Sequence, residues 1–144
     1  MEDNSMWIND IRNFLEDYSS MYPKNPETDI FKDMGIVGDD FHEMIEKYAK
    51  KYNVDMSDYL WYFHSDEEGN RGIGGQFFKP PYELVERIPV TPKMLADFIV
   101  TKKWKIDYPA HQIPKHRTDL LINKIVLIVI LFVLFISIIL KICK

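Results

Sequence analysis

The chain has 144 residues, about the length of one domain, with 47% hydrophobic and 28% charged residues and a formal net charge of −4. The charge is unevenly placed. Residues 1–99 carry 20 Asp+Glu against 10 Lys+Arg, a net of −10, whereas 100–119 and 120–144 are each +3. So acidic a segment argues against nucleic acid, which demands neutralised phosphates, and suits a basic protein partner.

The N-terminus, MEDNSMWIND, is acidic and has no apolar run, so it is not a secretory signal. A first helix is expected over residues 5–22, with Trp7, Ile8, Ile11, Phe14, Leu15 and Tyr18 on one face and Ser5 as N-cap. The loop YPKNPETDI follows, carrying two prolines. A second helix is expected over residues 39–52, where Phe41, Met44, Ile45, Tyr48 and Tyr52 keep helical spacing and Asp39 and Asp40 favour the N-terminus. Next come DYLWYFH (58–64) and GGQFFKPPYELVERIPV (74–90), aromatic-rich and β-leaning, which predict a small hairpin or two short strands. Gly69, Gly72, Gly74 and Gly75 fit no phosphate-loop or dinucleotide pattern and read as a flexible turn. A third helix opens with Thr91 as N-cap and Pro92 behind it, and turns Met94, Leu95, Phe98 and Ile99 inward.

Residues 125–140 read IVLIVILFVLFISIIL, sixteen residues without a charge. As a helix this run is roughly 24 Å long, and Leu120, Leu121, Ile122 and Ile142 extend it toward a hydrocarbon core of about 30 Å. Lys124 and Lys141 stand where long stems reach the interface. The expectation is a C-terminal tail anchor in a bacterial inner membrane. Lys102, Lys103, Lys105, Lys115, Arg117 and Lys124 precede the span, which places residues 1–119 in the cytoplasm and the basic stretch on anionic headgroups. Cys143 offers a disulfide-linked dimer only in an oxidising compartment. The expected divisions are a domain over 1–105, a basic linker over 106–119 and the span over 120–142.

The stretch DMGIVGDDFHEMIEKYAKKYNV (33–54) resembles the acyl carrier protein family around its attachment site. Asp33, Met34 and Gly35 match the first three positions of the Asp-Leu-Gly-x-Asp-Ser-Leu-Asp pattern and Asp40 the last. Glu43 and Glu46 sit on the recognition-like helix, and Tyr52-Asn53-Val54 matches its exit. The chain is also similar, in TDI-x-x-DMG and T-P-x-M-L, to a bacterial domain-of-unknown-function family related to carrier proteins. The resemblance implies a small carrier-like helical bundle, mostly α, here with a short β/aromatic insert and a C-terminal transmembrane helix. It departs at the decisive point, where Gly38 replaces the serine and Val37 the preceding acid. Phosphopantetheine is joined through a side-chain oxygen, so Gly38 cannot carry it, and no cofactor is expected. Ser57, flanked by acids, is the substitute a non-standard carrier would use.

Other chemistries find little support. His64-Ser65-Asp66-Glu67-Glu68 sets a histidine beside carboxylates, but with one cysteine in the chain it reads as a solvated turn, not a metal site. His42 is expected in a surface ion pair with Glu46. No G-x-S-x-G occurs, and Cys143 is remote in sequence from every histidine, so no nucleophile is argued. His111 and His116 flank the membrane, and Trp61 and Trp104 are expected to anchor the core and the interface respectively. The expected function is a non-enzymatic interaction module, tethered to the membrane and meeting a basic protein through Asp39, Asp40, Glu43, Met44 and Glu46. The alternatives are an acidic immunity-type or regulatory membrane protein, and a carrier loaded at Ser57. No pattern in the chain bears on its oligomeric state.

Overall fold

In a computed structural model, which describes residues 2–68 and 72–142, the chain is mostly helical. Its helices are α1 (Glu2–Ser19), α2 (Gly38–Tyr52), α3 (Gly72–Phe77), α4 (Pro92–Thr101) and α5 (Thr118–Ile142). The described residues form two compact units, one of 2–68 with 85–111 and the other of 72–84 with 112–142.

The first unit holds the aromatic core. α1 contributes Ile11 and Leu15, α2 Phe41, Met44, Ile45, Tyr48 and Tyr52, and α4 Leu95, Phe98 and Ile99, which together form one buried cluster at the helical spacing that amphipathic periodicity expects. Two polar bonds fix how the helices meet. The Tyr48 hydroxyl donates to the Leu95 carbonyl at 2.7 Å, joining α2 to α4, and Asn4 donates to Asp97 at 2.7 Å, joining α1 to α4. α4 is capped as expected, the Thr91 side chain accepting from the Met94 N–H with Pro92 behind it. α1 begins at Glu2, not after Ser5.

The loop between α1 and α2 is held by charge. Asp29 takes both guanidinium nitrogens of Arg87 and the N–H groups of Phe31 and Lys32, while Arg87 also lies over the Phe31 ring. Burial would raise the Asp29 carboxyl, but Arg87 and the backbone donors together hold it below its ordinary range.

The aromatic stretches do not form the expected strands. Residues Trp61–Phe63 and Pro81–Glu83 are 3-10 turns, α3 occupies Gly72–Phe77, and the one β-bridge among the described residues joins Asp55 to Lys103. Pro80, Pro81 and Pro89 lack the N–H that a ladder needs; of the aromatic side chains Phe63 is buried, whereas Phe77 and Phe78 are exposed. His64 lies there, fully buried at 0% exposure and not in a solvated turn. Its Nδ1 bonds the Ile88 carbonyl at 2.9 Å, so that nitrogen carries the hydrogen. Its Nε2 accepts from the Tyr108 hydroxyl at 2.8 Å. The Tyr108 oxygen in turn accepts from Trp104 Nε1 at 2.9 Å and from the Leu60 N–H. Trp104, expected at the interface, is fully buried against Phe98, Tyr59 and His64, whereas Trp61 is only half-buried.

In the second unit α3 packs on α5 through glycine. A Cβ on Gly74 would lie 2.0 Å from the Asp119 carbonyl oxygen, and one on Gly72 would lie 2.4 Å from the Asn123 side-chain oxygen. The Gly74 N–H donates to that Asn123 oxygen at 2.7 Å. These glycines therefore permit a close helix approach and are not a flexible turn. Gly69 and Cys143 lie outside the described residues. α5 is long and apolar enough to cross a membrane, and none of its most apolar stretch is buried.

Two outcomes follow for detergent-solubilised protein. Replacing Gly74 with Ala should displace α3 at a cost of about 1–3 kcal/mol, seen as faster limited proteolysis within residues 72–84. Ile73→Ala, at an exposed position, should leave the rate unchanged. The second outcome concerns His64, where burial, against the pull of the Ile88 bond and with some help from Arg87, lowers the imidazole to about 4. The unfolded chain then binds the extra proton below pH ~6.5, so stability is full above that pH and falls toward pH 4, by about 3 kcal/mol in all. Melts followed by near-ultraviolet circular dichroism should show this slope between pH 6.5 and 5, and His64→Gln should flatten it.

Candidate functional site

The N-terminus of α2 follows directly on a tight corner built from the D-M-G residues. The Asp33 side chain accepts the Asp29 N–H at 2.9 Å, the Asp33 N–H returns to the Asp29 carbonyl at 2.8 Å, and Met34 is buried beneath. Gly35 and Gly38 are both left-handed, at φ +67° and +53°. Asp66, from the loop after His64, reaches over α2 and caps it, accepting the Gly38 N–H at 3.0 Å, and its carbonyl meets His42 Nε2 at 3.3 Å. Glu68 lies over Gly38 so closely that a Cβ there would come 2.0 Å from its Cγ. The position that the carrier resemblance would assign to the attachment serine is thus a covered backbone turn without a side-chain oxygen. Ser57 is also engaged, its N–H and hydroxyl both donating to Asp55 just beyond the end of α2, which is a turn-forming role.

The five α2 side chains expected to meet a partner do not share a face. Met44 is fully buried and unavailable to any partner, because its position falls on the apolar stripe between Phe41 and Tyr48. Asp40 and Glu43 turn toward the end of α1. There, with Asp17, Tyr18, Ser19, Gly35 and Lys47, they line an open groove of ≈ 520 Å³. Glu46 faces the other way, into a groove of ≈ 400 Å³ shared with His42, Lys50, Met56 and Tyr59. His42 is not in an ion pair with Glu46. Its ring meets Trp61 edge-on at 5.5 Å and bonds Asp66. Asp39 is exposed in the first turn of α2, where it suits the helix dipole.

The first groove is the more structured. The Tyr18 hydroxyl donates to the Asp40 carbonyl at 2.9 Å and approaches Glu43 at 3.4 Å. Lys47 pairs with Glu43 at 2.7 Å and lies 5.0 Å from the centre of the Tyr18 ring. Burial, then the charges of Glu43 and Asp40, push the Tyr18 phenol up to about 12, so it stays a donor at neutral pH. Lys47 holds the Glu43 carboxyl below its ordinary range, and the groove keeps three carboxylates against one ammonium. Tyr18 was expected only as a core residue, and its place in an α1 face ending beside D-M-G was the signal for a second role. Among the described residues no group of three or more His, Cys, Asp and Glu side chains is placed to hold a metal.

His111 stands with the first unit, bonded to the Tyr62 hydroxyl at 2.8 Å and the Pro109 carbonyl at 2.9 Å. His116 lines a groove beside the start of α5.

Residues 6–107 match a family of proteins of unknown function, DUF1493, and with that span well over half the chain it belongs to this family. No curated protein and no solved structure matches it.

Proposed function

We propose that this member of DUF1493 is a non-enzymatic interaction module, tethered by α5 to a bacterial inner membrane, that takes a basic protein segment in the groove between α1 and α2. The observation that carries the reading is the groove itself, where Asp17, Asp40 and Glu43 outnumber Lys47 around a phenol that donates but does not ionise. A lysine or arginine entering it meets the Glu43 carboxylate already ordered by Lys47 and Tyr18, so less side-chain freedom remains to be lost there. The flanking charges support a cytoplasmic first unit: residues 100–119 hold five basic residues against two acidic ones before the apolar stretch of α5. A carrier-like ancestry draws support from α2 opening directly after the D-M-G corner. The loaded form of such a carrier does not fit, because Gly38 offers no oxygen and Glu68 covers it.

The test uses full-length protein in nanodiscs of zwitterionic lipid, with fluorescein-labelled octa-arginine as probe and anisotropy as the readout. Asp17→Lys with Glu43→Lys leaves the capping carboxylates of α2 in place and should weaken binding about tenfold or more at low salt, with a shallower salt dependence. Glu46→Lys, which faces the other groove, should change it by less than about twofold. Unchanged affinity in the double variant, with its circular dichroism preserved, would remove the groove from the function.

A further inference from the structure

The second unit carries apolar surface that its own fold leaves uncovered. Phe77 is 76% exposed, and Phe78 and Leu84 are exposed beside it. They line a groove of ≈ 290 Å³ together with Lys79 and with Thr118 and Asp119, the first residues of α5. Asp119 adds no free charge there, since Arg117 pairs with it at 2.6 Å. Lys79 is exposed at the groove and Lys115 on the approach to α5.

The depth of this groove follows from the length of α5. Its 25 residues make a helix of about 37 Å, against a hydrocarbon core of about 30 Å. With Ile142 at the far boundary, roughly five residues at the near end, 118–122, lie in the headgroup layer. The groove that touches Thr118 and Asp119 lies in that layer. α3 is held there against α5 by the glycine contacts, so its exposed end has a defined place along the helix.

Resting on the reading of α5 as a membrane span, we infer that Phe77 and Phe78 form an interfacial foot, with the two rings set into the boundary between headgroups and acyl chains of the leaflet that α5 enters. Lys79 and Lys115 face the phosphates above, and the occupant of the groove is an anionic phospholipid. Aromatic side chains concentrate at this depth, and lysines near it draw anionic lipid. The foot gives the tether a second attachment beside α5 and resists rotation of the helix about its own axis.

The test places an indole at each depth in the full-length chain, reconstituted into nanodiscs of phosphatidylcholine with phosphatidylglycerol, the parent protein supplying the background of Trp7, Trp61 and Trp104. The Phe77→Trp indole should be blue-shifted and quenched by lipid brominated near the headgroup, and the Phe132→Trp indole by lipid brominated near the bilayer centre. At equal mole fraction, brominated phosphatidylglycerol should quench the Phe77→Trp indole about twofold more than brominated phosphatidylcholine, and Lys79→Glu with Lys115→Glu should abolish the difference. An unquenched indole at 77 beside a quenched one at 132 overturns the foot and leaves the tether standing. Lack of quenching at both positions overturns the tether and the foot with it. Equal quenching by the two lipids before and after the lysine changes overturns the anionic occupant.

Discussion

The first unit depends on a chain of hydrogen bonds centred on one fully buried imidazole. Trp104 and Leu60 donate to the Tyr108 oxygen, Tyr108 donates to His64, and His64 donates to the Ile88 carbonyl. Three separate stretches of backbone, around His64, Ile88 and Tyr108, are thereby brought to one buried imidazole, and each bond matches a polar group that burial would otherwise penalise. The chain has one direction. Tyr108 has a single proton to give, and His64 must accept it, so the neutral tautomer is part of the fold. The stretch after α4 is held to the core by this chain together with the Asp55–Lys103 bridge.

α2 separates the two kinds of work in the molecule. Its inner stripe builds the core, and its outer arc divides into an acidic side toward α1 and a mixed side where His42, Glu46 and Lys50 gather. Met44 and Tyr48 lie on the inner stripe, so the outer arc is left to the polar residues of the two sides. Of the two sides, the one against α1 is the more ordered, through Tyr18 and Lys47. The long apolar helix α5 uses different residues altogether.

Periodicity made α1, α2, α4 and α5 legible, because each buries or exposes one continuous apolar stripe, and Thr91-Pro92 marked the start of α4 to the residue. Between them the signal misled. Alternating aromatics in 58–64 and 74–90 look like strand, yet strand requires a partner ladder, and the prolines withhold the N–H groups for one. The glycines of G-I-G-G gave no hint of a helix, since glycine costs helix propensity; what they supply is close contact with α5, a property of two segments that no local pattern contains. His64 illustrates the same limit. Its acidic neighbours suggested solvent, while its partners Ile88 and Tyr108 lie 24 and 44 residues away. At the site, Asp40 and Glu43 were legible from the helix N-terminus and its charge. The burial of Met44 was legible as well, from its place in the apolar stripe. The capping of α2 by Asp66 was not, because it closes a loop of 28 residues.

Gly38 bears on what the head of α2 can accept. Here the backbone at 38 is left-handed, which costs a residue with a Cβ about 1–2 kcal/mol, and the space that a Cβ would need is occupied by Glu68. A serine installed there would have to displace the Glu68 side chain, two residues from the Asp66 carboxylate that caps the helix. A side chain at 38 would thus strain the turn and dislodge its cover together, so this corner is built for glycine.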